Sequence, residues 1–343
     1  QYGNASSIYD TGRSARKAVD AARRQVAALI GCKPNELYFT SGGSESDNWA
    51  LKGIAFANRH KGNHIITSTI EHPAVLETAR WLESQGFEVS YVPVDSSGRV
   101  NPDDVKKAIT PRTILISVMA ANNEIGTLQP VRALGAIARA HKIPFHTDAV
   151  QAVGAVKVDV EDWQADLLSL SGHKFHGPKG MGALFVRSGT RVASLIHGGS
   201  QERNRRAGTE NVAGIAGLGA AAERAGAELE NKAAGITRLR NRLIDGIMAE
   251  IPDVRLNGDR DSRLPNNANL SFRYIEGEAL LLHLDLNGIA ASSGSACASG
   301  SLEPSHVLLA TGLDAEDAHS SIRFTLSEHT TELEIDTVLG ILP

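Results

Sequence analysis

Cysteine is nearly absent: the 343 residues hold two, Cys32 and Cys297. That number cannot knit a disulfide scaffold and fits a reducing compartment, so the expected location is the cytoplasm. Long apolar runs are missing too. None approaches the ~20 residues that span a bilayer, so no membrane partner is expected. No secretory leader pattern is visible, although the chain opens on Gln1 rather than Met. Neither sign of charge dominates: 35 Lys and Arg face 39 Asp and Glu, a formal net charge of -4. Nothing there suggests a nucleic-acid groove. The twelve histidines form no His-Glu-x-x-His and the two cysteines no Cys-x-x-Cys, so no metal site is expected. The Gly-x-Ser-x-Gly elbow of hydrolases occurs only in part, at Gly198-Gly199-Ser200-Gln201.

What is present is an alternation of two periods. Helical spacing over 14–30 places Ala18, Ala22, Val26, Leu29 and Ile30 on one side. Cys32 follows directly and reads as an inert helix-end residue. Short apolar strands are expected at 36–40, 64–68, 89–94, 113–119, 144–147, 167–170 and 182–186, with helices at 46–59, 73–85, 102–108 and 131–141 between them. Strands separated by helices imply an α/β fold with a mostly parallel sheet covered on both faces. Functional groups in such folds gather beyond the carboxyl ends of the strands. After a long charged helix at 221–251 the pattern changes to strands at 268–272, 289–291 and 321–326, with helices at 277–287, near 307 and at 332–339. The expected division is a large domain, 1–231, and a smaller α+β domain, 232–343.

Strand-end residues carry the candidate chemistry. Lys174, in Ser171-Gly172-His173-Lys174, follows a strand; a lysine there can form a Schiff base if burial keeps its amine partly neutral. Taken alone, a loop lysine also reads as a solvated one. Asp148 ends another strand. It reads either as a helix N-cap or as the acid that protonates a pyridine nitrogen and turns a pyridoxal-phosphate (PLP) ring into an electron sink. Gln151 lies one turn on and could donate to the ring oxygen. In Thr40-Ser41-Gly42-Gly43-Ser44 a strand runs through a Gly-Gly turn into a helix, whose first N–H groups suit a phosphate, with Gly43 allowing close approach and Ser44 adding a hydroxyl. A plain capped helix explains that stretch equally well. His72, in Glu71-His72-Pro73, can stack on a planar cofactor or move protons, or be structural. Cys297 sits among Ser, Gly and Ala from 292 to 301, which leaves a thiol accessible and its loop mobile, as a sulfur-carrying nucleophile requires; a buried inert cysteine is the other reading.

With these pieces in order, the chain resembles the cysteine desulfurases of the class V aminotransferase group, fold-type I PLP enzymes. It is most like the NifS branch, with the IscS branch next. The stretches that carry the resemblance include Asn122-Asn123-Glu124-Ile125-Gly126, Thr147-Asp148-Ala149-Val150-Gln151, Ser171 to Gly182, Arg205 to Asn211, and Ser295-Ala296-Cys297-Ala298-Ser299-Gly300-Ser301. The resemblance implies that Lys174 holds PLP, Asp148 partners the ring nitrogen, Gln151 the ring oxygen, and His72 stacks and transfers protons. It implies that Gly43, Ser44, Ser171 and His173 form the phosphate site, with Thr209 arriving from the neighbouring subunit of a homodimer. Asn123 would contact cofactor and substrate, and with Arg323 bind the carboxylate of L-cysteine. Cys297 would take the sulfur as a persulfide, release alanine and pass sulfur to an iron–sulfur scaffold or another acceptor protein, with nitrogen fixation among the expected uses. The sequence departs from the family at Ala5, where Pro is usual, and at Ser44, where Thr is common; the family's Ala-Thr-Thr stretch is not in the sequence. Other expectations compatible with the pattern are selenocysteine lysis, transamination, or a non-catalytic sulfur-transfer scaffold.

Overall fold

In the first helix, α1 (Asp10–Ile30), Ala15, Val19, Ala22, Val26 and Ile30 recur at helical spacing and are buried, and Gly31 ends it at φ 72°. The Cys32 N–H returns to the Ala27 carbonyl at 3.0 Å, closing the cap. This computed structural model describes residues 2–293 and 303–342. The chain forms two compact units. The first comprises the residues up to Val92, Pro102–Ala120 and Pro130–Leu229; the second comprises Pro93–Asn101, Ala121–Gln129 and the chain from Glu230 on. A single cut after residue 231 cannot express this division, because two short loops group with the later part of the chain. Periodicity along the chain carries no information about such grouping.

In the first unit α1 is followed by β1 (Leu37–Thr40), α2 (Gly43–Asn58), β2 (His64–Ser68), α3 (Pro73–Ser84) and β3 (Glu88–Val92). Then come α4 (Pro102–Ala108), β4 (Thr113–Ser117), α5 (Val131–His141), β5 (Phe145–Asp148), β6 (Leu167–Ser171), β7 (Gly182–Val186) and the single turn α6 (Gln201–Asn204). The strands make one sheet in the order β1-β7-β6-β5-β4-β2-β3. Strands β3, β2, β4, β5 and β6 pair in parallel, and β7 runs against both β6 and β1. The sheet is thus mostly parallel, with one reversed strand. Every residue of β2, β4, β6 and β7 is buried, as expected of central strands with no solvent face. Trp49, Leu51 and Ile54 of α2 pack in one core with Ile65, Leu115, Leu167 and Leu184.

Helix α7 (Val212–Glu250) starts nine residues before the predicted 221. Its early stretch is rich in glycine, which disfavours a helix by propensity. Packing decides otherwise: a Cβ on Gly219 would come within 2.5 Å of Ala22, and one on Gly217 within 2.7 Å of Pro178.

The second unit adds β8 (Val254–Asn257), β9 (Asn267–Phe272), α8 (Gly277–Leu286), β10 (Ser292–Ser293), α9 (His306–Ala310), α10 (Ala315–His319), β11 (Ser321–Thr325) and α11 (Glu332–Ile341). Its antiparallel sheet has the order β10-β11-β9-β8. Leu243, Ile244, Leu270, Phe272, Leu284, Ile322 and Phe324 form its core. The strand expected at 289–291 pairs instead at Ser292–Ser293; Ile289 and Ala291 pack on the core without joining the sheet.

Candidate active site

Because β1, β2, β4, β5 and β6 run the same way, their carboxyl ends share one edge of the large sheet, and the groups predicted after β1, β2, β5 and β6 lie there. Thr40 and Ser171 both pair with Gly182, which places the ends of β1 and β6 on either side of the start of β7. A Cβ on Gly182 would meet the Gly42 Cα at 2.7 Å, so glycine there permits the approach. Gly42 adopts φ 151° as the chain turns into α2, and no side chain caps it. A Cβ built on Gly42 lies 3.7 Å from Ser171 Oγ, and one on Gly43 would press on Val150 Cγ2 at 2.7 Å. Ser44 is exposed at the first turn. Glu45, the acid of that turn, accepts from the Ser41 N–H at 2.8 Å and pairs with Arg206 at 2.8 Å. Burial pushes its carboxyl up, but these partners hold it below the usual value. The start of α2 therefore presents amide donors and a hydroxyl beside Ser171, whose Oγ shares a 2.9 Å hydrogen bond with His173 Nδ1.

Lys174 stands in the one-turn 3₁₀ segment Gly172–Phe175, directly after β6. Gly172 and Phe175 are its buried residues, so His173 and Lys174 turn outward and are exposed. The burial expected of Lys174 is therefore not supplied by the chain's own residues. Asp148 closes β5, only 6% exposed, and accepts from the Val150 N–H at 2.9 Å. Burial raises its proton affinity, opposed by that hydrogen bond and by the charges of His72 and Lys174. The same edge thus brings an acid, an amine and an imidazole within electrostatic reach of one another. His72 caps α3: its Nδ1 accepts from the Ala74 N–H at 3.1 Å. With Nδ1 accepting, Nε2 is the nitrogen that carries the proton in the neutral ring. Gln151 is half-buried in the turn after Asp148, and Thr209 is exposed in the first unit.

In the second unit, Arg323 of β11 donates from Nη1 to the Asn123 carbonyl at 2.8 Å. The loop carrying Asn123 is fixed by Asn122 Oδ1, which accepts from the N–H groups of Glu124 and Ile125 at 2.9 and 3.0 Å. Asn267 and Asn269 donate to the Glu124 carbonyl from the neighbouring strand β9. Cys297 lies outside the described residues. The last one before it, Ser293, belongs to β10, where Ser292 pairs with Arg323.

The first unit's residues fit PLP by their chemistry. A phosphate finds amides at a helix start with Ser44 and Ser171, a protonated ring nitrogen finds a buried carboxyl at Asp148, and an aldehyde finds the Lys174 amine. Three groups escaped the sequence reading: Asp47 on α2, Glu71 after β2 and His146 on β5, all fully buried near Asp148. The available signals were weak. Asp47 shares a helical face with Ala50, Leu51 and Ile54, and His146 interrupts an apolar strand.

Comparison with known proteins agrees with the geometry. The family description "Aminotransferase class-V" matches residues 1–338. A curated relative, "Cysteine desulfurase IscS" of Methanosarcina thermophila, is 57% identical over 342 residues, covering 100% of this chain and 84% of that protein. Among solved structures, a NifS-like protein superposes with a TM-score of 0.93 at 40% identity, covering 99% of this chain and 90% of that one. "SspA in complex with cysteine" gives a TM-score of 0.85 at 38% identity, covering 96% and 92%. The match of nearly the whole chain, together with an amine and a buried acid on one sheet edge, places it plainly: the protein belongs to the class V aminotransferase family.

Proposed function

We propose that the protein is a PLP-dependent cysteine desulfurase. It converts L-cysteine to L-alanine, moves the sulfur onto Cys297 as a persulfide, and supplies that sulfur for iron–sulfur cluster assembly. The observation that carries this reading is the placing of Lys174 and His72 on the edge that buries Asp148, where a positive charge on either opposes the effect of burial on its carboxyl.

PLP, when bound, supplies an electron sink conjugated to the amino acid. The chain does the rest. Lys174 would hold the cofactor aldehyde, and its Nζ would serve as the base for the substrate Cα proton. Asp148 keeps a negative charge against the ring nitrogen. His72, whose Nδ1 accepts from the Ala74 amide, would stack on the ring and exchange protons through Nε2. Gly43, Ser44, Ser171 and His173 hold the phosphate, completed by Thr209 of the partner subunit of a homodimer, and Gln151 holds the ring oxygen. Asn123 and Arg323 bind the substrate carboxylate.

In the sulfur step the Cys297 thiolate attacks the substrate Sγ. The new S–S bond forms as the substrate C–S bond breaks, the bonding electrons stay on the carbon, and a proton completes alanine. The other thiol is unsuited to this: Cys32 is half-buried, and burial with the nearby Glu36 pushes it up to about 12. A reducing cytoplasmic setting suits both thiols. No described helix is long and apolar enough to cross a membrane.

The test is the visible spectrum before and after borohydride, with the reduced adduct mapped by mass spectrometry, then alanine release and persulfide trapping. The expected result is PLP on Lys174 and a persulfide that Cys297→Ser abolishes. A protein that PLP cannot colour, or a Cys297→Ser variant that still desulfurates cysteine at the full rate, overturns the reading.

A further inference from the structure

Behind the edge that carries Lys174 and His72 lie three buried carboxyl groups: Asp47, Glu71 and Asp148, 1%, 0% and 6% exposed. Their surroundings differ. Glu71 Oε1 accepts from Ser68 Oγ at 2.5 Å, and both its oxygens face the Met119 N–H at 3.0 and 3.1 Å. Asp47 Oδ1 has no hydrogen-bond partner among the described residues. The nearest basic group, His146 Nε2, is 3.7 Å away. It offers no charge: His146 is fully buried, burial drops its proton affinity to about 3, and its nitrogens engage Ser117 and Ser169 at 2.8 and 3.0 Å.

The charges that act on Asp47 are those of Asp148 and Glu71, both acidic, and Asp148 likewise opposes ionisation of Glu71. For Asp148 they are those of His72 and Lys174, both positive when protonated. An ionised Asp47 would place a negative charge in a wholly buried site where the Ser169 hydroxyl opposes the burial penalty and Oδ1 has no partner among the described residues, a costly arrangement. Like charges acting on one another raise the proton affinity of the acids least stabilised as anions.

We infer that Asp47 and Glu71 are positioning residues held in the acid form, so that the cluster carries one negative charge and that charge is confined to Asp148. Ionisation of either neighbour would favour proton uptake by Asp148 and weaken its hold on a protonated ring nitrogen. The assignment of Asp148 to that nitrogen rests on the function proposed above; the proton count does not. Burial supports the count, pushing Glu71 up to about 8 and Asp47 well above the ordinary range.

The test uses the full chain freed of cofactor, at neutral pH, by infrared difference spectroscopy in the carbonyl-stretch region of protonated carboxyls. Asp47→Asn and Glu71→Gln are each expected to remove one protonated-carboxyl band relative to the unmodified protein, while Asp148→Asn removes carboxylate intensity instead. ¹³C-carboxyl NMR titration of the unmodified protein gives the same count without relying on a variant's folding. Asp47 or Glu71 titrating in the ordinary acidic range, or variants that leave the acid band intact, overturns the inference. If PLP binds with a spectrum indifferent to Asp148→Asn, the role of Asp148 falls while the proton count stands.

Discussion

Replacing Glu71 with Gln should make the protein more stable as the pH rises, although the substitution removes a buried group with three hydrogen-bond contacts. Burial lifts the Glu71 carboxyl from the ordinary 4.5 to about 8, the charge of Asp148 adding to it and the Ser68 and Met119 contacts opposing it. Below pH 4.5 both folded and unfolded chains carry the proton, and the group contributes no slope. Between 4.5 and about 8 the folded chain keeps the proton and the unfolded chain has lost it, so stability falls with pH. At about 1.4 kcal/mol per pH unit the loss reaches roughly 3 kcal/mol by about pH 7 and roughly 5 kcal/mol at the top of the window. Gln copies the protonated form. Its carbonyl can take the place of Oε1, accepting from Ser68 Oγ and the Met119 N–H, while the amide replaces an oxygen that would otherwise ionise. The assay is urea unfolding of the cofactor-free protein, wild type and Glu71→Gln, at about pH 5, 6, 7 and 8, with the stability difference plotted against pH. Removing PLP matters, because a ligand bound only to the native state would add its own pH-dependent stability. The variant should gain progressively toward alkaline pH. A difference that is flat, or that falls as pH rises, would mean that folded Glu71 is already ionised in the acidic range, and the reasoning from burial would fail.

Two further outcomes follow from the packing around β1 and α2. Arg23 and Glu202 form a buried bidentate pair at 2.8 and 2.7 Å, with the Phe39 N–H and Leu37 carbonyl of β1 tied into it, so Glu202→Gln should cost about 3 kcal/mol in urea unfolding; a cost below about 0.5 kcal/mol would mean the pair does not anchor the strand. Gly43→Ala would drive a Cβ to 2.7 Å from Val150 Cγ2, and the overpacking should weaken PLP binding by roughly tenfold, read by fluorescence titration of the cofactor-free protein; unchanged affinity would show that the turn yields freely.

The sequence discloses the groups that punctuate strand ends and hides the ones that act through burial. The shared sheet edge of Lys174, Asp148 and His72 is legible because each lies at or shortly after the end of an apolar strand, and a parallel sheet brings such ends to one edge whatever the loop lengths between them. Helix α7 was legible only in its charged part, because the glycines at 217 and 219 lower local propensity while the neighbours that repay them, Pro178 and Ala22, are distant in sequence. Strand-end position left the exposure of Lys174 open between a buried amine and a solvated one, and the 3₁₀ turn decides it by sending Gly172 and Phe175 inward and the lysine out. Asp47 shows the limit most clearly. On α2 it looks like part of the polar run that opens the helix, and only the sheet beneath reveals that it faces Asp148 and Glu71 with a neutral histidine beside it. Its electrostatic work depends on which protons the fold retains, a property of three distant segments taken together. A motif can mark a carboxyl at a strand end; the buried acids that act on it emerge only when the chain is folded and its buried charges are counted.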